Sequence, residues 1–345
     1  MKNIASRSLL ASWLPVIFRP RIAHRSFPAL RSCIAHRSLT TLESRIGLRS
    51  LLLLPLVLLL CGSSLFAQRS IEVSYAEDTK GNYNFICTSR AYCNYVLEIN
   101  FTKLNNVVSD HPLPFRVMVT PGTNQLFKLT KQHPDDAAEF NYKAAFFKGC
   151  IDPKVDTGFT YLFPAGAGKT AQAYEMGTMP RNPGDPESKN SYAIRLKMKP
   201  GDTIYAARRG VVDEIDVSSN LNDSGVATSG SGNYIEIVHA DCSFGRYGII
   251  KRNGALVHPG QTIQAGQAIG LVGGDKYGRG AEIRIWVYYN QSGDQTTYRL
   301  YTPLKFWTKR NGKGMLKHGG TYTGEFPKNL LGQETPHRPS KARSH

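Results

Sequence analysis

The chain has 345 residues, enough for two domains behind a leader, and a formal net charge of +17. Hydrophobic residues make up 41% and charged residues 20%, the proportions of an ordinary globular protein. The positive charge is not gathered into a basic patch interleaved with aromatic residues, which excludes nucleic acid as the expected partner. Thirty-two Gly, 19 Pro, 17 Tyr and 15 Phe lean toward strands joined by tight turns.

Residues 1–67 read as a leader. Residues 1–47 are rich in Arg and Ser, and the pentapeptide IAHRS occurs at 22–26 and again at 34–38. The apolar run LLLLPLVLLL at 51–60 is too short to span a membrane comfortably and suits the core of a signal peptide. Cleavage after Ala67 leaves Gln68 as the first mature residue, so the expectation is an exported chain, in the periplasm, the cell envelope or the extracellular space, with no transmembrane span. Nine Lys and Arg and one Glu lie in the first fifty residues, so much of the positive excess leaves with the leader.

Residues 68–150 carry short segments with alternation or β-branched and aromatic enrichment: IEVSYAE, YVLEINFTKL, FRVMVTP, LFKLTK and FNYKAAFFKG. Proline-containing turns punctuate them, and the spacing predicts a small antiparallel β-sandwich. His111 and His133 each stand beside a proline in a loop and read as solvated. Four cysteines lie beyond the leader: Cys87, Cys93, Cys150 and Cys242. An even count in an exported chain points to disulfides. Cys87 and Cys93 are close enough in sequence to close a small loop. Cys150 and Cys242 would then tie the front segment, or its linker, to the second half of the chain; free buried thiols are the alternative.

The stretch AGAGKT at 165–170 has the look of a phosphate-binding loop, but that pattern needs a glycine where Phe163 stands. From Tyr192 to Tyr289 the chain alternates strands and turns. Pro200-Gly201 and Pro259-Gly260 are turn pairs, each followed by Asp or Gln, then Thr-Ile. Glycines precede the strands VVDEIDV and NYIEIVH, and further glycines lead into EIRIWVYY. Such a chain folds as a compact barrel or two-sheet structure with small residues at its corners. Residues 151–325 are assigned to this second domain, and 326–345 read as a basic, disordered tail. The fold class is all-β: an N-terminal antiparallel sandwich, then a barrel-sandwich hybrid.

The segments PGDTIYAARRGVV (200–212), GNYIEIVHAD (232–241) and VHPGQTIQAGQAIGLVG (257–273) closely resemble the lysostaphin/LytM-type zinc endopeptidases, which cut cell-wall peptide bridges. LYTPLKFWTK (300–309) and GGTYT (319–323) are similar to the final strands of longer members. The resemblance implies a zinc ion held by a His and an Asp before the first Pro-Gly turn and by a His-x-His pair on the last core strand, with a further catalytic His after a Tyr-x step. This sequence departs at each place. Arg195 stands for the Asp, no His occurs between His133 and His239, Ile249 replaces the catalytic His, and Glu282-Ile283-Arg284 replaces His-x-His. A guanidinium keeps its proton in proteins and cannot ligate a metal, so the expectation is no zinc, no cofactor and no catalytic residue. His239 reads as a strand-end residue with a surface role, and His258 as a turn residue.

Arg195, Glu282 and Arg284 are expected to converge as a salt-bridged cluster that holds the place of the metal and offers a ligand-binding face. The resulting expectation is a catalytically inactive peptidase-like envelope protein that binds peptidoglycan peptide or regulates an envelope protein. Alternatives are an active zinc endopeptidase with unorthodox ligands, and a biotinyl- or lipoyl-like carrier with Lys251 as the attachment residue.

Overall fold

The computed structural model describes residues 70–176, 192–220, 232–275, 278–292 and 297–332. The leader, its cleavage site, Cys33, Cys61 and the last thirteen residues of the tail lie outside the described residues. Among the described residues no helix is long and apolar enough to cross a membrane.

The front segment forms β1 (Ile71–Glu77), β2 (Tyr83–Ser89), β3 (Tyr95–Asn105), β4 (Val107–Ser109), β5 (Phe115–Val119), β6 (Gly122–Lys131) and β7 (Glu139–Lys148). They make two antiparallel sheets, ordered β1-β2-β6-β4 and β5-β3-β7. The period-two pattern explains the packing. Phe85 and Cys87 of β2, Leu97 and Ile99 of β3, and Phe127 and Leu129 of β6 turn inward into one apolar cluster. Phe85 and Phe127 stack with ring centroids 4.6 Å apart.

The rest of the chain forms β8 (Thr160–Leu162), β9 (Thr170–Glu175), β10 (Ala193–Lys197), β11 (Thr203–Tyr205), β12 (Gly210–Asp216), β13 (Tyr234–Val238), β14 (Phe244–Gly248), β15 (Ile250–Ala255) and β16 (Thr262–Ile263). Then come β17 (Ala268–Val272), β18 (Glu282–Ser292), β19 (Thr297–Tyr301), β20 (Lys305–Thr308), β21 (Gly312–Gly314), β22 (Thr321–Thr323) and one helical turn, α1 (Lys328–Leu331). A nine-stranded sheet runs β16-β12-β13-β14-β18-β10-β9-β22, with β19 paired to the second half of β18. Two three-stranded sheets, β11-β17-β15 and β21-β20-β8, complete the fold. Regular structure among the described residues is thus almost all β, as composition and turn spacing lead one to expect.

Both Pro-Gly pairs make the tight turns their chemistry demands. Asp202 N–H donates to the Lys199 carbonyl at 3.1 Å and Gln261 N–H to the His258 carbonyl at 3.2 Å. Gly201 and Gly260 occupy φ of +81° and +83°, the left-handed third position of a type II turn, and proline presets the second. The segment read as a tail begins with Phe326 and α1, and Phe326 and Leu330 pack with Leu162 and Ala265.

The strands of the large sheet divide their residues between two faces. Ile194, Leu196, Ile235, Ile237, Tyr247, Ile283, Ile285 and Val287 point into the main core. Their neighbours Arg195, Glu236, Arg246, Glu282, Arg284, Trp286 and Tyr288 therefore lie on the opposite, outer face. Part of that face is covered by the front segment: Cys93 is buried with Ala193, Phe244, Trp286, Tyr288 and Tyr301, and Tyr95 packs against the same group.

Of the two expected disulfides one is present. Cys150 and Cys242 are bonded, with Cα atoms 6.0 Å apart and 92 residues between them in sequence. The Cys87–Cys93 loop is not formed, and both are free and buried. Placement is the reason: Cys87, on β2, faces the sandwich core, whereas Cys93, in the turn before β3, packs on the outer side of the large sheet. Burial pushes the Cys87 thiol up to about 11 and raises that of Cys93 as well, the latter helped by nearby Asp213. Replacing both Cys150 and Cys242 with alanine should lower unfolding stability by roughly 3–5 kcal/mol, the loop-closure entropy of a bridge spanning so many residues. Denaturant titration of the double variant beside the oxidised chain checks this, and an unchanged midpoint would contradict it.

Candidate functional site

β18 is the spine of the site because it is the strand shared by β10 on one edge and β14 on the other. Its register sets Arg284 opposite Arg195, and Glu282 opposite Lys197. Two guanidiniums on directly paired positions repel each other unless an anion intervenes. Glu282 supplies it. Its Oε1 accepts from Arg284 Nε at 2.7 Å, and its Oε2 lies 3.6 Å from Arg195 Nη1. Glu282 is wholly buried and Arg284 is 5% exposed, so this is an ion pair largely withdrawn from water. The Arg195 side chain keeps 23% of its exposure. The three residues that the sequence places on this strand pair thus meet, and the open guanidinium among them is that of Arg195.

Tyr174, which sequence reasoning passed over, belongs to the same cluster. It pairs with Arg195 across β9 and β10. The Arg195 guanidinium lies 4.8 Å from its ring centroid and Lys197 Nζ lies 5.5 Å from the same centroid. The His318 ring meets Tyr174 edge-on at 5.3 Å, and the Tyr174 hydroxyl donates to Gln172 Oε1 at 2.6 Å. Ile249 is buried in the left-handed backbone region, with φ of +67°, an unusual setting for a β-branched residue. Among the described residues there is no group of three or more His, Cys, Asp or Glu side chains that could hold a metal ion.

A second charged cluster occupies the covered part of the outer face. Lys148, at the end of β7, contacts Asp213 and Glu236 and lies 3.7 Å from Glu214. Glu236 also accepts from Arg246 Nε at 2.7 Å and from the Tyr288 hydroxyl at 2.9 Å. Burial works against ionisation of Glu236, but Lys148 and Arg246 together hold it below the usual carboxylate range. Burial likewise disfavours the Lys148 ammonium, and Glu236 and Asp213 override it, holding Lys148 above its ordinary value. A glutamate inside the otherwise apolar strand Tyr234–Val238 was the available signal for this cluster, since such a charge needs a buried partner.

A third cluster surrounds His239. The structure buries this residue at 3% exposure, correcting the expectation of a surface role. Its Nδ1–H donates to the Arg209 carbonyl at 2.8 Å, and Nε2 has no hydrogen-bond partner. Nε2 faces Gly245, where a Cβ would come within 2.9 Å of it; the strand reversal wraps backbone around the ring. Nearby, Arg208 Nη1 donates to Asp241 Oδ2 at 2.9 Å, and the Ser243 hydroxyl donates to Asp241 Oδ1 at 2.6 Å. His258 is exposed in its turn, as expected, and His111 and His133 are exposed in loops. Lys251 is exposed on β15.

An all-β protein in which a front sandwich covers part of a charged outer sheet face is the class that fold and site define. Residues 189–295 match Peptidase family M23. No curated protein matches the chain. Among solved structures, the catalytic domain of the antimicrobial peptidase lysostaphin from Staphylococcus simulans is 22% identical over 37% of this chain and 86% of that one, with a TM-score of 0.25. Csd3 from Helicobacter pylori is 13% identical over 63% and 70%, with a TM-score of 0.25. A zinc-containing peptidase from Vibrio cholerae is 14% identical over 64% and 75%, with a TM-score of 0.26.

These clusters give two measurable outcomes. Glu282→Gln removes the anion between Arg195 and Arg284 and should cost roughly 3 kcal/mol or more in a denaturant titration at neutral pH; no loss would show that the cluster does not hold the strands. His239 has a different signature. Burial and then the Arg208 charge depress it from the ordinary 6.5 to about 3. The unfolded chain therefore binds a proton that the folded chain refuses. Stability present above pH 6.5 is lost as pH falls toward 3, with a slope of up to about 1.4 kcal/mol per pH unit from this group. His239→Gln should flatten that part of the stability–pH curve relative to the parent chain.

Proposed function

We propose that this is a catalytically inactive M23-like protein of the cell envelope that binds cell-wall peptide, or an envelope partner, and does not cut it. The observation that supports this reading is the Arg195–Glu282–Arg284 cluster, made of residues that the sequence resemblance sets against zinc ligands. The donor set does not fit a zinc ion. Two of its members are permanent cations, and the carboxylate is already engaged by Arg284 at 2.7 Å. Ile249, at the position expected for a catalytic histidine, has no proton to move. What these side chains do instead is hold β10 to β18 and present a positively charged rim beside Tyr174. Peptidoglycan, rich in peptide carboxylates, is the partner class this charge favours. Export behind a cleaved leader forms part of the same proposal.

Metal analysis of the purified chain, together with incubation on purified peptidoglycan sacculi, tests the reading. The expected result is zinc far below one equivalent per chain, no release of peptide fragments, and retention of the protein on sacculi. Stoichiometric zinc with fragment release would overturn it in favour of an active endopeptidase.

A further inference from the structure

The open side of the Arg–Glu–Arg cluster gathers positive charge around one partly exposed guanidinium. Arg195 and Lys197 stand two residues apart on β10 and so share its outer face, and Arg284 faces Arg195 across the ladder. Glu282 is the carboxylate between the two guanidiniums, and its hydrogen bond goes to Arg284. The Arg195 guanidinium lies 3.6 Å from Glu282 Oε2, beyond hydrogen-bond range, and donates no hydrogen bond to any of the described residues. Glu282 Oε2 is itself buried without a hydrogen-bond partner. Lys197 is exposed and touches the cluster through the Tyr174 ring. Five N–H donors arranged as a rigid fork, partly open to solvent and held only by a 3.6 Å ion pair to Glu282 and the Tyr174 ring, are the ordinary equipment for a planar oxyanion.

The setting narrows the ligand. The ring of Tyr174 takes Arg195 and Lys197 at 4.8 and 5.5 Å and holds both cations at one place on the sheet. Among the described residues, the apolar cluster that joins the front segment to β10 includes Ala193. Arg195 is two residues farther along that strand, about 7 Å at the usual rise per residue. The position thus joins two cations and an aromatic ring beside the covered part of the face, and the group its charge fits is a free carboxylate, which in a peptide of neutral residues stands at the C-terminal end.

We infer that Arg195, with Lys197 and Tyr174, forms a subsite for a free peptide carboxylate, so that the protein recognises the C-terminal end of a peptide. This rests on the non-catalytic binding reading above and specifies which group on the ligand is held. The Arg195 fork would take both carboxylate oxygens, Lys197 would add a point charge, and Tyr174 would keep the fork from collapsing onto Glu282.

The test uses the purified full chain labelled with 15N, titrated with acetyl-Ala-Ala bearing either a free carboxylate or a C-terminal amide, in both alanine configurations, and separately with inorganic phosphate. The readouts are the backbone amide resonances of β10, followed in the parent and in every variant, and the Arg195 Nε–H resonance of the parent, assigned by its loss in Arg195→Gln. The expected result is a saturable shift with a carboxylate peptide of at least one configuration, at least tenfold weaker binding of the corresponding amide, and loss of the backbone response in an Arg195→Gln chain whose dispersed amide spectrum shows it folded. Arg195→Lys should keep the charge but weaken binding severalfold, because the fork is gone. Equal binding of acid and amide, full binding by Arg195→Gln, or a stronger response to phosphate than to the peptide acid would each overturn the inference. A zinc-free chain that is retained on sacculi yet ignores the carboxylate removes this inference alone. Zinc and hydrolysis remove the reading beneath it.

Discussion

Lys148 is the residue on which the junction of this structure turns. It stands at the last position of β7, one glycine short of the bonded Cys150, and its ammonium enters a group of carboxylates on the outer face of the large sheet. Glu236 has no exposure to solvent, and a buried carboxylate is tolerable only if cations reach it. Lys148 from the front segment and Arg246 from β14 do so, and the Tyr288 hydroxyl satisfies it further. The dependence runs both ways: Lys148 could not be withdrawn from water without Asp213 and Glu236. The disulfide at Cys150–Cys242 and the bond from Asn290 to the Lys148 carbonyl, at 2.8 Å, fix the same corner covalently and through the backbone.

With that corner held, the outer face divides into two parts with different chemistry. Under the front segment, aromatic burial and paired charges make a closed interface around Cys93, Trp286 and Tyr288. Beyond it, at the start of β18 and along β10, the rim stays open around Arg195 and Lys197. The same alternation builds both. Even-numbered residues of β18 leave the core, and whether they become interface or rim depends on whether β7 and the Cys93 turn lie above them.

Much of the architecture was legible because it rests on local rules. Period-two patterning marked β1, β3, β10, β13 and β18, and the Pro-Gly pairs marked both type II turns. The convergence of Arg195, Glu282 and Arg284 was legible too, because residues two apart on a strand share a face and the family pattern aligns β10 with β18. Cys93 was misread for a reason of the same kind: nearness in sequence to Cys87 says nothing about which face each thiol takes. His239 was misread because its burial comes from the way Gly245 and the strand reversal close around it, and no pattern within the strand announces that.

By itself, then, the sequence determined the all-β class, the turns, and the charged residues set two apart on one strand face, all consequences of residue type and short-range spacing. Only the tertiary structure decided what those charges face. Tyr174 lies beside Arg195 because β9 pairs with β10, and Lys148 meets Glu236 because a strand 88 residues earlier is folded over β13. The physical reason is that the fate of a buried charge depends on which partners reach it through space. Those partners come from strands whose separation along the chain carries no local signal of their meeting.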